Sequence, residues 1–225
     1  MARQDYQQQL ESLREDVLYM SELVLERLRL SFDALEQKDE AVAEEVIEGD
    51  HEINQLYLDL EQDCIDLLAL QQPVAGDLRF IASSFKIITD LERVGDLATN
   101  LAEYSYDAEE DVYPEVDVQG IGDLTHEMVE DAMTAYSDED TDACREISDR
   151  DDEIDALCEK ASQTVVRDLL EREFTEGSGQ EIEAVMNDVS RLLLTIRDLE
   201  RIGDHAVNIS ARTLYMIEGD DELIY

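Results

Sequence analysis

The stretch Asp90-Leu91-Glu92-Arg93-Val94-Gly95-Asp96-Leu97-Ala98-Thr99-Asn100 recurs as Asp198-Leu199-Glu200-Arg201-Ile202-Gly203-Asp204-His205-Ala206-Val207-Asn208. Eight of the eleven positions are identical, and Val94 against Ile202 is conservative. Chance does not produce this, so the chain is read as an internal duplication. A weaker pair supports it: Asp50-His51-Glu52-Ile53-Asn54-Gln55-Leu56 resembles Asp151-Asp152-Glu153-Ile154-Asp155-Ala156-Leu157. This second pair is 101 residues apart and the first 108, so the second copy carries seven extra residues between its two motifs. Insertions belong in connections. The extra residues are placed around Glu176-Gly177-Ser178-Gly179, where the first copy has the tight Gln72-Pro73-Val74-Ala75-Gly76.

Working outward from the repeat, the apolar period is helical. Leu78, Ile81, Phe85, Ile88, Leu91, Gly95 and Ala98 step by three or four, as do Val189, Leu192, Ile196, Leu199, Gly203 and Ala206. Val46, Ile53, Leu56, Leu60, Cys64 and Leu67 form a third stripe. Leu10, Leu13, Val17, Met20, Val24, Leu28 and Leu35 form a fourth. The pattern predicts helices over 4–36, 39–70, 74–108, 120–137, 139–173 and 180–217. Pro114, Gly120 and Gly122 interrupt the period within 108–122, so one repeat is expected over 1–112 and the other over 113–225. The expected fold class is all-α, two tandem three-helix bundles. Long helices joined by short turns pack as antiparallel neighbours. Gly95 and Gly203 lie on the apolar stripe, where a glycine costs up to about 1 kcal/mol against alanine. Its expected return is close approach of a neighbouring helix.

The 225 residues carry 59 acidic and 17 basic side chains, a formal net charge of −42. Such a surface excludes direct nucleic-acid binding, which needs cations against phosphates, and docking on anionic lipid. Disorder is disfavoured by the 44% hydrophobic content and its periodicity. A basic partner is one reading of the charge, and work in multimolar salt is the preferred one. At ~1 M salt the Debye length is about 3 Å, so dispersed like charges barely repel. The N-terminal Met-Ala-Arg-Gln-Asp-Tyr has no apolar targeting segment, and no run reaches the roughly 18 apolar residues of a membrane span. A cytoplasmic protein is expected. Cys64, Cys144 and Cys158 have no metal-site spacing and read as buried thiols.

Glu92 with Asp96, and Glu200 with Asp204, stand four apart and so share a helix face. Asn100 and Asn208 extend each stripe by one turn. Asp50 with Asn54, and Asp151 with Asp155, repeat the spacing on the second and fifth helices. Two carboxylates so placed repel unless something positive lies between them. All-oxygen donor sets suit magnesium, calcium, manganese or iron, and not structural zinc. In a chain this acidic, such spacings also arise by chance on solvated faces, and Arg93 and Arg201 are alternative partners. His205 follows Asp204 but points about 100° away on a helix, so it is no obvious co-ligand. A di-iron oxidase is disfavoured: of the three histidines only His51 has a glutamate, Glu48, three residues before it, where two such pairs are needed. No nucleophile–base pair or phosphate-cradling loop is found, and an enzyme is not expected.

The doubled Asp-Leu-Glu-Arg-Val/Ile-Gly-Asp motif (90–96 and 198–204) and the turn Gln-Pro-Val-Ala-Gly-Asp-Leu-Arg (72–79) resemble the PhoU family, accessory regulators of phosphate-specific transport. The resemblance spans both repeats. It implies pseudo-twofold symmetry between two three-helix bundles and a homodimer. It also implies metal ions, iron clusters among them, held by Glu/Asp-x-x-x-Asp motifs. These fall on Glu92 and Asp96, Glu200 and Asp204, and Asp151 and Asp155; at Asp50 the last carboxylate is replaced by Asn54. It implies a negative regulator of phosphate uptake, acting on the ATPase subunit of the phosphate ABC transporter and, in bacteria, on a sensor kinase. The rival reading is a structural helical interaction module without metal or phosphate sensing.

Overall fold

The structure, a computed structural model, describes residues 2–71, 73–106, 116–171 and 179–224. It consists of α1 (Ala2–Gln37), α2 (Glu40–Gln71), α3 (Ala75–Ser105), α4 (Val118–Asp138), α5 (Thr141–Glu171) and α6 (Gly179–Glu218), with no strand among the described residues. The helices follow the expected order and lie close to the expected bounds. α4 begins two residues earlier than the glycines predicted, because Asp117 caps it by accepting from the Gly120 N–H at 2.9 Å. Gln72, the 107–115 part of the repeat boundary with Pro114, and Glu176-Gly177-Ser178 lie outside the described residues.

α1, α2 and α3 form one bundle, and α4, α5 and α6 form the other. The bundles share a core: α3 packs along α6 and α1 packs against α4. The predicted stripes supply it. Leu13, Val17, Met20, Val24 and Leu28 of α1 are buried, as are Ile53, Leu60 and Cys64 of α2. Ile81, Ile88, Leu91 and Ala98 of α3 share one buried cluster with Ile196, Leu199 and Ala206 of α6. One stripe position departs from expectation: Leu78, in the first turn of α3, is exposed. The three cysteines are buried, and burial pushes their thiols up, to about 12 for Cys64 and Cys158 and about 11 for Cys144.

The duplication extends to the turns. α1 ends on Lys38 (φ 53°) and α4 on Glu139 (φ 56°), both left-handed. In each case the next residue, Asp39 or Asp140, donates its N–H back to Ala34 or Ala135. That same aspartate then caps the following helix, with Oδ1 accepting from Ala41 and Val42 or from Asp142 and Ala143. A left-handed closure followed at once by an N-cap reverses the chain within two residues, which sets α2 antiparallel to α1 and α5 antiparallel to α4.

The candidate site: two carboxylate clusters beside a pseudo-twofold axis

α6 runs antiparallel to α3: Asp90 meets His205, Tyr104 meets Asp198, and Arg79 meets Met216. In that register the duplicated residues Val94 and Ile202 lie level with each other, so the pseudo-twofold axis passes through the duplicated motif. Both carboxylate pairs are therefore carried to the middle of the molecule, on opposite sides of one axis.

The glycines allow a second approach. A Cβ on Gly95 would sit 3.3 Å from Ile53 of α2, and a Cβ on Gly203 would sit 3.4 Å from Asp151 Oδ1 of α5. Gly95 thus lets α2 come closer than a Cβ would permit, whereas at Gly203 a Cβ would make ordinary contacts, Asp151 of α5 lying beside it. Asp50 joins Glu92 and Asp96 in the first copy, and Asp151 and Asp155 join Glu200 and Asp204 in the second.

The electrostatics show which groups are brought together. Burial and then Asp96 push the Glu92 carboxyl above its usual range, with Arg93 opposing. Burial and then Asp50 raise Asp96, against Arg93 and Arg201. In the second copy burial followed by Asp155 raises Asp151 to about 6, with Asp204, Asp152 and Glu200 adding to it. Burial and then Asp155 raise both Glu200 and Asp204. Second-repeat cations reach the first cluster across the axis: Arg201 opposes the rise at Asp96, and His205 opposes that at Glu92.

The two copies are not equal. Asp50 is satisfied: Asn54 donates to its Oδ2 at 2.7 Å, and Thr99 approaches Oδ1 at 3.5 Å. In the second copy Asp155 replaces the amide and Val207 replaces the hydroxyl. Asp151 has lost both donors, and its buried Oδ1 has no hydrogen-bond partner. A buried carboxylate oxygen without a donor is costly, and an all-oxygen set around it has the chemistry of a hard-cation site. As the side chains stand, no three His, Cys, Asp or Glu groups among the described residues already close on one ion-sized point. Glu200, Asp204, Asp96 and Asp155 are solvent-exposed.

The outer amides are placed differently. Asn100 is partly buried one turn beyond Asp96. The Asn208 amide nitrogen lies 3.5 Å from Asp90 Oδ1 and so turns across the α3–α6 seam. His205 turns the same way, its Nδ1 2.9 Å from Asp90 Oδ1.

Asp90 and Asp198 carry a role that sequence reasoning missed. They are equivalent residues, the first of each motif, and each reaches across the axis. Asp90 accepts from His205. Fully buried Asp198 accepts from the Tyr104 hydroxyl at 2.9 Å and from Arg197 at 2.7 Å. Their identity in both motifs was a signal, but their partners follow only from the register of α3 on α6. Arg201 approaches Asp198 at 3.6 Å, and among the described residues neither Arg93 nor Arg201 forms an ion pair within 4 Å of Glu92, Asp96, Glu200 or Asp204.

Comparison with known proteins agrees with this architecture. The family model described as the PhoU domain matches twice, over residues 17–105 and 118–213. The phosphate-specific transport system accessory protein PhoU homolog of Pseudomonas putida is 35% identical over 97% of this chain and 82% of its own length. PhoU homolog 1 of Methanothermobacter thermautotrophicus is 33% identical over 94% of both chains. A crystal structure of PhoU from Pseudomonas aeruginosa superposes with a TM-score of 0.87 at 31% identity, covering 96% of this chain and 100% of that one. Among the described residues no helix is long and apolar enough to cross a membrane. With the duplicated motif at its axis and the family's domain matched in both halves, the chain belongs to the PhoU family.

Proposed function

We propose that this chain is a negative regulator of phosphate uptake, and that the two carboxylate clusters are its cation-binding sites. Its relatives are named as accessory proteins of a phosphate-specific transport system. The reading places the chain in the cytoplasm as a homodimer, acting on the ATPase subunit of the phosphate ABC transporter and, where one exists, on a sensor kinase. It acts by binding rather than by catalysis.

One observation carries the cation reading: Asp151 holds a buried, unpartnered oxygen in the field of Asp155, Asp204 and Glu200, with Asp152 adding to it. Asp151, Asp155, Glu200 and Asp204 would form the tighter site. Asp50, Glu92 and Asp96 would form the weaker one, because Asn54 and Thr99 already satisfy Asp50. Asn100 stands at the outer end of the first stripe as a further oxygen donor; Asn208, whose amide turns to Asp90, would have to rotate to serve the second. Iron, manganese, magnesium and calcium all suit these donors. When bound, such a cation supplies a positive centre that can hold a phosphate oxygen or a partner's carboxylate on a protein whose own charge, −42, repels both. The rival structural module needs the arginines to neutralise the clusters; Arg93 and Arg201 offset only part of the rise at Glu92, Asp96 and Asp204, and Arg201 approaches Asp198 at 3.6 Å. The same net charge fits work in multimolar salt, where screening removes most of the repulsion.

Deleting the gene and measuring phosphate uptake tests the regulatory role. Uptake under phosphate excess should rise and return to normal with the intact gene. A Glu92→Ala/Glu200→Ala copy should fail to restore it. Unchanged uptake on deletion removes the regulatory reading, and full restoration by the double variant removes the clusters from it.

A further inference from the structure

Arg201 has two carboxylates within reach on its own helix, Asp198 three residues before it and Asp204 three residues after it. It approaches Asp198 Oδ1 at 3.6 Å, and among the described residues it forms no ion pair within 4 Å of Asp204 or Glu200. Arg93 stands between the equivalent residues, Asp90 and Asp96. Asp90 is already engaged across the seam by His205 and Asn208. Among the described residues Arg93 pairs within 4 Å with neither aspartate.

The two clusters feel their arginines differently. Arg93 opposes the rise at both Glu92 and Asp96, and at each it is the strongest cation. Arg201 opposes the rise at Asp204 less than His205 does. At Glu200 and Asp151 burial and the neighbouring carboxylates all push the same way. The second cluster, which holds the unpartnered oxygen, is thus the one its own arginine neutralises less.

What draws Arg201 aside is fixed independently. Asp198 is fully buried; its Oδ2 accepts from the Tyr104 hydroxyl at 2.9 Å, and its Oδ1 accepts from Arg197 Nε at 3.0 Å and Nη2 at 2.7 Å. A carboxylate so anchored keeps its place on the α3–α6 seam, and its charge is screened less there than in water. Long helical side chains also lean toward the turn before their own, where Asp198 lies and Asp204 does not.

We propose that Asp198 is a positioning residue: it holds the Arg201 guanidinium toward the seam, off Glu200 and Asp204, and so leaves the second cluster open to a cation. This rests on the cation reading above and deepens it, since it names what keeps the tighter cluster from being neutralised by the chain itself.

The probe is manganese, titrated by calorimetry into the full chain with its first cluster silenced by Glu92→Gln/Asp96→Asn, so that one site is read. In that background Asp198→Asn removes the charge that holds Arg201, and affinity should fall about fivefold or more, the effect of one guanidinium brought beside the site. Adding Arg201→Gln to Asp198→Asn should reverse the loss, a rescue that a merely structural Asp198 does not predict. Arg201→Gln alone should leave affinity within about threefold, because the withdrawn arginine contributes little. Arg201 is partly exposed, so this variant decides the matter if Asp198→Asn does not fold by circular dichroism. A smaller fall in folded Asp198→Asn, a loss that Arg201→Gln fails to reverse, or a larger change in Arg201→Gln alone each overturns the positioning role and leaves the cation reading intact. A background chain that takes up no manganese removes the cation reading of the second cluster and this proposal with it.

Discussion

Asp155→Asn should make the metal-free protein more stable. The first repeat provides the template, since the residue four after Asp50 is Asn54 and its amide donates to Asp50 Oδ2 at 2.7 Å. The substitution gives Asp151 the same donor and removes the carboxylate that, after burial, contributes most to raising it to about 6. Raising a carboxyl from about 4 to about 6 costs its ionised form nominally about 3 kcal/mol, and partial solvent access reduces this to about 1 kcal/mol. For a chain of this size that corresponds to a Tm increase of about 2–4 °C at pH 7 in chelator. The pH dependence follows from the direction of the shift. With the folded carboxyl raised, the penalty is absent below about pH 4, where both folded and unfolded forms are protonated, and complete above about pH 6. The Tm difference between variant and wild type should therefore be largest at pH 7 and fade toward pH 4. Calorimetric melts in buffered potassium chloride with chelator measure it. A lower Tm for the variant, or a difference that stays constant from pH 7 to pH 4, refutes the account of Asp151.

Gly95→Ala and Gly203→Ala should behave oppositely in the absence of metal. A Cβ at 95 meets two Ile53 carbons at 3.3 Å, and this overpacking should cost about 1 kcal/mol net. A Cβ at 203 makes ordinary contacts and gains helix propensity, up to about 1 kcal/mol, while placing a methyl 3.4 Å from Asp151 Oδ1, where it limits access of a cation to that oxygen. Thermal melts and manganese titrations separate the two effects. Tyr104→Phe removes a hydrogen bond to buried Asp198 and should destabilise by about 1–2 kcal/mol in urea melts, without changing cation affinity. Stability should rise steeply with potassium chloride; equal or greater stability in dilute buffer contradicts the screening explanation of the −42 charge.

The apolar period made the six helices legible because each stripe meets a core. Leu13, Val17, Met20, Val24 and Leu28 could be read as one face before any packing was known. Leu78 shows where that logic stops: periodicity assigns a face, and whether a neighbour covers that face depends on where helices end. The hairpin closures at Lys38-Asp39 and Glu139-Asp140 carried a sequence signal, an aspartate N-cap in both repeats with an alanine five residues before it. It passed unread because neither left-handed residue is a glycine or asparagine. Glu92, Asp96, Glu200 and Asp204 stood out through duplication. The asymmetry between the copies was half visible, in Asn54 against Asp155. Its other half, Thr99 against Val207, needed the packing of α2 on α3 and of α5 on α6.

Elemental analysis and manganese titration of tag-free protein test the carboxylate clusters most directly, run side by side on the wild type and on Asp151→Asn/Glu200→Gln. The wild type should carry or take up at least one cation per chain, and the variant should lose its tighter site while keeping its fold by circular dichroism. A wild type that binds no cation, or a variant that binds as the wild type does, contradicts the claim that the duplicated stripes exist to hold one.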